Sequence, residues 1–150
     1  MTANVEKNLS MTEGIELEKI NPKESSDFPG FYYFPDDNRI VVSREGEIIN
    51  VKTGKKIKSI FNKTNRASFI ISSPGKKPKA YKLSRVLART FIGRPVHLIK
   101  IKFKKLEVNH IDGNTFNNAI NNLEWVTSSE NVLHSYRLLS NREKVSPCRG

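Results

Sequence analysis

Short apolar and β-branched runs, separated by turn residues, fill the chain between residues 28 and 72. Arg39–Ser43 and Glu47–Val51 are two such runs, and Gly46 lies in the short turn that joins them. Glycine adopts positive φ angles at little cost, which a tight turn between antiparallel strands requires. We therefore predict an antiparallel hairpin here, and Ala67–Ser72 (ASFIIS) predicts a third strand.

A helical period follows in Tyr81–Ile92, where apolar residues recur on one helix face at Leu83, Val86, Leu87 and Phe91. We expect Gly93 to end this helix as its C-cap, because Pro95 cannot continue it. Val96–Phe103 (VHLIKIKF) then alternates roughly between apolar and polar residues, which predicts another strand.

A second hairpin or loop with a polar tip is predicted farther along the chain. Val108–Asp112 forms its first side and Leu123–Val126 its second. A helix follows it. We expect Ser128 and Ser129 to cap that helix, because hydroxyl oxygens accept hydrogen bonds from the free backbone amides of a first turn. The order of elements is strand, loop, strand and helix.

The first 26 residues combine Ser, Thr, Asn, Glu and Lys with few large apolar groups. This composition predicts a poorly ordered or peripheral leader, with a short helix over residues 13–20 as the one candidate element. No apolar run is long enough to cross a bilayer, and the N-terminus lacks the basic and apolar stretches of a secretion signal. We therefore expect an intracellular, soluble protein.

Net charge is the most informative property of the composition, since the formal value is +11 over 150 residues. Between Glu47 and Glu107 there is no acidic residue, and this gap contains 17 lysines and arginines. A protein this basic is expected to bind polyanions such as DNA, RNA or an anionic membrane. A merely solubilising surface is the alternative interpretation, although such surfaces usually mix both signs of charge.

The single cysteine, Cys148, lies close to the C-terminus and excludes an internal disulfide. A zinc site built from cysteines is excluded for the same reason. Any metal ion would therefore be held by oxygen and imidazole ligands.

The stretch Glu107–Ser135 contains two of the three histidines and the only tryptophan. His110 is a candidate general base, because the unperturbed pKa of histidine lies near neutrality, although a single histidine in a strand is more often structural. Asp112 either binds a metal ion or forms the turn that the sequence Asp-Gly-Asn favours, and the turn is the preferred interpretation.

Asn122 follows His110 by 12 positions, and Asn131 follows Asn122 by nine. The segment matches, almost throughout, the pattern N/D-H-I-D-G-N, then N-L-x-W-V-T, then S-x-E-N-x-x-H. It thereby resembles the phage HNH homing endonucleases. The resemblance implies an α+β fold, in which a small N-terminal β-rich module is followed by a ββα-metal (HNH) nuclease motif that binds one divalent ion.

The resemblance also implies roles for individual residues. His110 would be the general base that activates water, and Asn122 would hold the loop that bears it. Asn131 would supply an oxygen to Mg²⁺, with Mn²⁺ as an alternative ion. Asn109 occupies the position of the second ligand, where the family often has Asp or His, so this ligand brings no charge. His134 would reach the scissile phosphate or the metal, or else pack in the interior.

The looser resemblance upstream completes a predicted domain organisation. Residues 1–26 form the leader, residues 27–95 a β-rich DNA-binding module that ends in a helix, residues 96–140 the nuclease, and residues 141–150 a C-terminal tail. The expected partner is double-stranded DNA, and no membrane association is expected. The protein would act as a monomer or homodimer. A phage-encoded protein of this kind would act in the cytoplasm of the host cell.

The predicted function is a metal-dependent DNA endonuclease that nicks one strand per active site. A non-catalytic DNA-binding protein that keeps the fold is the alternative, and a basic RNA-associated protein is a more distant one. Backbone phosphates would be bound by basic side chains, namely Lys76, Lys77, Lys79, Lys82, Arg85, Arg89, Lys102, Lys104 and Lys105.

Overall fold

The structure is a computed structural model that describes the backbone of residues 15–145 and the side chains up to residue 138. Most of the predicted leader, the end of the predicted tail and Cys148 lie outside the described residues. The first sheet is antiparallel and contains β1 (Phe31–Tyr33), β2 (Ile40–Ser43), β3 (Ile48–Asn50) and β4 (Lys56–Ile57) in that order. The predicted hairpin is confirmed as β2 and β3, and Gly46 has φ +89° in the turn between them.

The second sheet is also antiparallel and contains β5 (Ile60–Phe61), β6 (Ala67–Ile71) and β7 (Lys79–Lys82). The predicted third strand is confirmed as β6. Its side chains alternate as a strand requires, because Phe69 and Ile71 are buried in the core while Ile70 between them is exposed.

Helix α1 (Leu83–Phe91) confirms the predicted helix and buries its apolar stripe. The predicted cap is wrong, because the helix ends at Ile92 in an extended conformation and Gly93 has no positive φ. Gly93 instead allows a close approach of another segment. A Cβ atom there would overlap the backbone carbonyl of Glu18.

The strand predicted over Val96–Phe103 is wrong. The structure has two 3₁₀ turns in this region, Val96–Leu98 and Phe103–Lys105. Leu98 is buried and Ile101, three residues later, packs against the same core. Residues three apart lie on one side of a 3₁₀ turn, so this short apolar pattern is compatible with either structure.

The C-terminal part contains β8 (Glu107–His110), β9 (Leu123–Val126) and helix α2 (Ser128–Val145), as predicted. The two strands pair antiparallel, which places Asn109 opposite Glu124. Helix α2 continues past residue 140 into the predicted tail.

The cap of α2 is Thr127 rather than Ser128 or Ser129, which already lie inside the helix. Thr127 Oγ1 accepts a hydrogen bond from the backbone N–H of Glu130 at 3.2 Å. Glu130 Oε1 accepts one from the backbone N–H of Thr127 at 2.9 Å. This reciprocal pair is a capping box, which satisfies two backbone donors that a hydroxyl one residue later would leave unpaired.

One hydrophobic core joins both upstream sheets, α1 and the C-terminal hairpin. Trp125 on β9 is fully buried, and its indole N–H is shared between the carbonyl oxygens of Ala88 at 3.3 Å and Ile92 at 3.0 Å. The α+β fold class is therefore confirmed. The predicted division at residue 95 remains a prediction, and the core extends across it.

Residues 15–26 lie against this body and contain no helix, so the described part of the helix predicted over residues 13–20 is wrong. The backbone N–H of Glu18 donates to the carbonyl of Arg94 at 2.8 Å, and the side chains of the two residues form an ion pair at 2.8 Å. These contacts favour an extended segment over a helix. None of the helices in residues 15–145 is both long and apolar enough to cross a membrane.

Candidate functional site

The end of strand β8 places two polar side chains in the interior of the C-terminal hairpin. Asn109 and His110 are both buried, with 6% and 5% of their surfaces exposed. Buried polar groups need hydrogen-bond partners, and both side chains have one. These partners fix how each side chain is oriented.

The partner of His110 is Asn118, whose side-chain oxygen lies 2.8 Å from Nε2 of the imidazole. An amide oxygen only accepts hydrogen bonds, so Nε2 carries the proton when the ring is neutral. Nδ1 then has a free lone pair. Burial lowers the pKa of His110, and the charge of Arg66 acts in the same direction, so the neutral form is favoured at pH 7.

The side chain of Asn122 contacts the loop after His110. The side-chain oxygen of Asn122 accepts the backbone N–H of Asp112 at 3.0 Å, and its nitrogen donates to Asp112 Oδ1 and to the carbonyl of Asn117, each at 2.9 Å. Burial opposes the charge of Asp112, but hydrogen bonds from Asn117, Asn114 and Asn122 hold the pKa of this carboxyl below its usual range. Asp112 is therefore part of the turn, which was the preferred interpretation, and Gly113 follows with φ +78°.

Two amide–carboxylate pairs lie next to this loop. Asn109 Nδ2 donates to Glu124 Oε2 at 2.7 Å, and Asn131 Nδ2 donates to Glu107 Oε1 at 2.6 Å. Hydrogen bonds from Ser128 and Asn131 lower the pKa of Glu107, so its carboxylate stays charged. Each carboxylate fixes the nitrogen side of an amide, which leaves the oxygen of that amide for another partner.

A cleft of about 280 Å³ brings most of the predicted site residues together. Its lining includes Asn109, His110, Asn131 and His134. Asn122 does not line the cleft and contacts the loop after His110 from the other side. The other lining residues are Arg66, Val108, Gly113, Thr115, Ser135 and Leu138.

His134 lies one helical turn beyond Asn131 and is 1% exposed. Its Nε2 lies 2.9 Å from the carbonyl oxygen of Ile111, and a carbonyl only accepts, so Nε2 is the donor. Nδ1 has no hydrogen-bond partner among the described residues. This geometry agrees with the packing interpretation of His134 and leaves Nδ1 as its one uncommitted polar atom.

The donor atoms of the cleft suit a hard divalent cation. The side-chain oxygens of Asn109 and Asn131 make no hydrogen bond within residues 15–145, and oxygen is the ligand atom that Mg²⁺ prefers. No group of three His, Cys, Asp or Glu side chains in the described part of the chain has metal-binding geometry. A cation bound here would therefore depend on neutral amide oxygens, as the sequence predicts.

The basic residues predicted to bind DNA fall into two groups. All seven lysines are exposed. Arg85 instead donates to the carbonyls of Leu106 and Phe103, and Arg89 lies 3.2 Å from Asp36. Both guanidinium groups thus have partners inside the protein, so DNA binding by these two arginines has less support than binding by the lysines.

Four residues of the site were not found from the sequence, namely Arg66, Glu107, Asn118 and Glu124. Asn118 is one of several asparagines between residues 114 and 122, and nothing in their spacing distinguishes it. Glu124 has a detectable signal, because the strand register places it opposite Asn109 once the hairpin is assumed. Arg66 lies more than 40 positions from His110, and only the fold brings it to the cleft.

The chain is also similar to known proteins. Residues 100–133 match the family described as HNH endonuclease. The chain is 36% identical over 102 residues to an uncharacterized HNH endonuclease of Acanthamoeba polyphaga mimivirus, in a match that covers 65% of this chain and 23% of the relative. It is 33% identical over 91 residues to the DNA endonuclease I-HmuI of Bacillus phage SP01, covering 61% of this chain and 48% of that enzyme. The chain thus spans half or less of the length of these curated relatives.

The fold is similar to that of the HNH homing endonuclease I-HmuI, whose structure was solved to describe how that enzyme binds and cleaves DNA. The TM-score is 0.55 at 26% sequence identity, and the match covers 85% of this chain and 67% of that one. The similarity therefore extends upstream of the hairpin into the β-rich part of the chain.

Proposed function

We propose that this chain, which carries the HNH endonuclease motif and resembles phage and viral HNH homing endonucleases, is a metal-dependent endonuclease that cuts double-stranded DNA. The observation that carries the proposal is the placement of His110 beside Asn109 and Asn131 in one cleft. A potential base and two potential oxygen ligands lie there within reach of one phosphodiester. The net charge of +11 supplies the attraction to the DNA backbone.

The protein's own groups support hydrolysis in the following way. Nδ1 of neutral His110 accepts a proton from a water molecule, while Asn118 holds the ring from the opposite side through Nε2. Asn122 keeps the loop after His110 in place, so the base does not have to be oriented anew for each reaction. Attack on phosphorus by this water breaks the bond from phosphorus to the 3′ oxygen, which takes up a proton from solvent, so the products are a 5′ phosphate and a 3′ hydroxyl.

Asn109 and Asn131 are the residues that would hold Mg²⁺ or Mn²⁺. The bound ion would supply positive charge beside the phosphate and the leaving oxygen, where negative charge develops. A chain with one such cleft would nick one strand, and a double-strand break would need a homodimer or two events. Its place of action would be the cytoplasm of the host cell.

A second candidate function is DNA binding without cleavage. It is favoured by Asn109, which brings no charge to a cation and is already bonded to Glu124. Binding that is retained with no nicking in Mg²⁺, Mn²⁺ or Ni²⁺ would support this alternative and contradict the proposal.

The direct test is replacement of His110 by alanine, with relaxation of supercoiled plasmid DNA in Mg²⁺ as the measurement. Loss of a general base is expected to slow nicking by roughly 10²–10⁴-fold. His97→Ala is a matched control, because His97 is half exposed and lies 3.7 Å from Glu130, outside the cleft.

The pH profile gives an independent check of the same group. Because burial lowers the pKa of His110, the acid limb of the nicking rate should lie below the value of about 6.5 that is typical of free histidine. Unchanged nicking by His110→Ala, or an acid limb well above that value, would contradict the role of His110.

A further inference from the structure

One residue of the cleft comes from the second sheet rather than from the HNH segment. Arg66 ends the turn between β5 and β6, yet it lines the same cleft as His110 and Asn131. It lies outside residues 100–133, which carry the family match. The fold therefore adds a cation to the cleft from an upstream part of the chain.

The turn that carries Arg66 is fixed from within. The side-chain oxygen of Asn62 accepts hydrogen bonds from the backbone N–H groups of Thr64 and Arg66, each at 3.0 Å. Asn65 adopts φ +59° between them, a conformation that asparagine tolerates better than most residues. The direction in which Arg66 leaves the turn is thus set by the backbone.

The same turn is also attached to the loop that follows His110. Thr115 Oγ1 donates to the carbonyl oxygen of Asn65 at 2.8 Å. The rings of Phe61 and Phe116 lie 4.8 Å apart, centroid to centroid. These two contacts hold Arg66 at a fixed position relative to the cleft.

The guanidinium group of Arg66 differs from the other arginines near the core. Arg39, Arg89 and Arg94 each have a carboxylate partner, and Arg85 donates to two backbone carbonyls. The side chain of Arg66 is half buried and makes no hydrogen bond or ion pair within the described residues. Its planar set of N–H donors is therefore available to an anion, and its geometry matches a phosphate.

We propose that Arg66 binds a non-bridging oxygen of the DNA phosphodiester in the cleft and is thus a catalytic residue supplied by the second sheet. The inference rests on the proposed function for the identity of the substrate. Arg66 stabilises the negative charge that grows on the phosphate during attack, while His110 takes the proton from water. Cleavage therefore depends on the β5–β6 turn as well as on the HNH segment.

The test compares Arg66→Ala with Lys63→Ala, which removes the same charge from an exposed position in the same turn. Single-turnover nicking at saturating protein isolates the chemical step from DNA binding. Loss of one donor to a developing anion is expected to slow this step roughly 10²-fold in Arg66→Ala and only about twofold in Lys63→Ala. Arg66→Lys keeps the charge without the planar set of donors and should fall between them.

A second measurement does not depend on cleavage. Inorganic phosphate is titrated into metal-free protein while the ring NMR signals of His110 and His134 are followed. Wild type and Lys63→Ala should show saturable shifts, and Arg66→Ala should show none. Thermal melting verifies that each variant is folded, and Arg66→Gln replaces Arg66→Ala if the shorter side chain destabilises the turn.

The two measurements separate the inference from the proposed function. If the wild type does not nick DNA, the proposed function fails, and loss of the phosphate response in Arg66→Ala alone still supports the anion site. If the wild type nicks DNA and Arg66→Ala nicks at the same rate, the inference is overturned while the proposed function stands. Equal phosphate responses in wild type and Arg66→Ala also overturn it, as do equal losses in Arg66→Ala and Lys63→Ala.

Discussion

Asn109 and Glu124 face each other across the β8–β9 hairpin as paired residues of the two strands. Both are buried, and their hydrogen bond is 2.7 Å long. The resemblance implies an Asp or His at position 109, whereas here a carboxylate, that of Glu124, lies behind the amide and does not line the cleft. In the proposed function, the amide oxygen would face the cation while the carboxylate of Glu124 holds the amide nitrogen from behind.

Asn109→Asp tests this arrangement, because it would place a second carboxylate directly against Glu124. Loss of the buried hydrogen bond between the two side chains is expected to lower the free energy of unfolding by roughly 2 kcal/mol in EDTA. Mg²⁺ should restore much of the lost stability by binding in the cleft next to the new carboxylate at position 109. Thermal melting with EDTA and with Mg²⁺ measures both effects.

Asn114→Asp is the control, since Asn114 is exposed and uses its side-chain oxygen to accept the backbone N–H of Phe116, which aspartate also does. A variant at position 109 that melts like wild type in EDTA, or that gains nothing from Mg²⁺, would contradict the expected contacts.

At the scale of residues, the sequence locates those side chains that belong to the motif resembling the HNH family. His110, Asn122 and Asn131 lie on one hairpin and the helix after it, so a linear pattern locates them. Asn118 and Arg66 escape detection for a physical reason. Their positions depend on how a loop folds back on a strand and how one sheet packs on another, and neither leaves a period in the sequence.

The element that the sequence describes least well is the segment of residues 15–26. Its polar composition predicts a loose leader, but Glu18 docks it beside the end of α1. Both oxygens of the Glu18 carboxylate accept from Arg94, at 2.8 Å and 3.0 Å, and Arg94 also donates to the carbonyl of Ile101. Composition does not reveal such a contact, because a single paired residue is enough to dock a polar segment.

Glu18→Gln should loosen this segment in a pH-dependent way. The hydrogen bonds from Arg94 lower the pKa of Glu18, so the folded state binds the proton less tightly than the unfolded state. The stabilisation is therefore present above the unfolded pKa of about 4.3 and is lost as the pH falls through the lower folded pKa. We expect a cost of about 1–2 kcal/mol at pH 7 that shrinks toward pH 3.

Urea unfolding of both proteins across this pH range measures the effect. Glu16→Gln is the control, because Glu16 lies two positions before Glu18 and is exposed, so the variant removes the same charge without breaking the ion pair. A cost that stays constant with pH, or that Glu16→Gln shares, would show that the ion pair is not its source.

The elements themselves were predicted well wherever a period of two or of 3.6 residues extends over enough positions, as in β2, β6 and α1. The error at Val96–Phe103 arises because this stretch is short and follows Pro95, and alternation over so few residues also fits consecutive 3₁₀ turns. Arg94 then fixes the turns by donating to the carbonyl of Ile101 at 2.9 Å.

At the scale of the whole molecule, some positively charged side chains bind groups within the protein and others are exposed to solvent. Arginines such as Arg85 and Arg94 are held by carbonyls or carboxylates, while lysines such as Lys76 and Lys77 are exposed in the loop before β7. Attraction to DNA should therefore come mainly from the lysines. Loss of Arg85 should affect folding first, because its guanidinium also lies over the ring of Trp125.

The double variant Lys76→Gln/Lys77→Gln tests this division. If each lysine contacts one phosphate, the slope of log K against log salt concentration should become shallower by about two. Fluorescence anisotropy with a duplex oligonucleotide in EDTA measures the slope. Lys19→Gln/Lys23→Gln removes the same charge from the acidic N-terminal region and should leave the slope close to that of wild type. Equal changes in the two variants would indicate a diffuse attraction rather than contacts in the loop.

The shared hydrogen bonds of the Trp125 indole have a consequence for where this chain can be divided. One acceptor is the carbonyl of Ala88, which also accepts the backbone N–H of Ile92, and the other is the carbonyl of Ile92 just after α1. A fragment that begins at residue 96 would lack both acceptors of the indole N–H. The smallest C-terminal fragment that keeps these hydrogen bonds therefore begins with α1 at Leu83 rather than at residue 96.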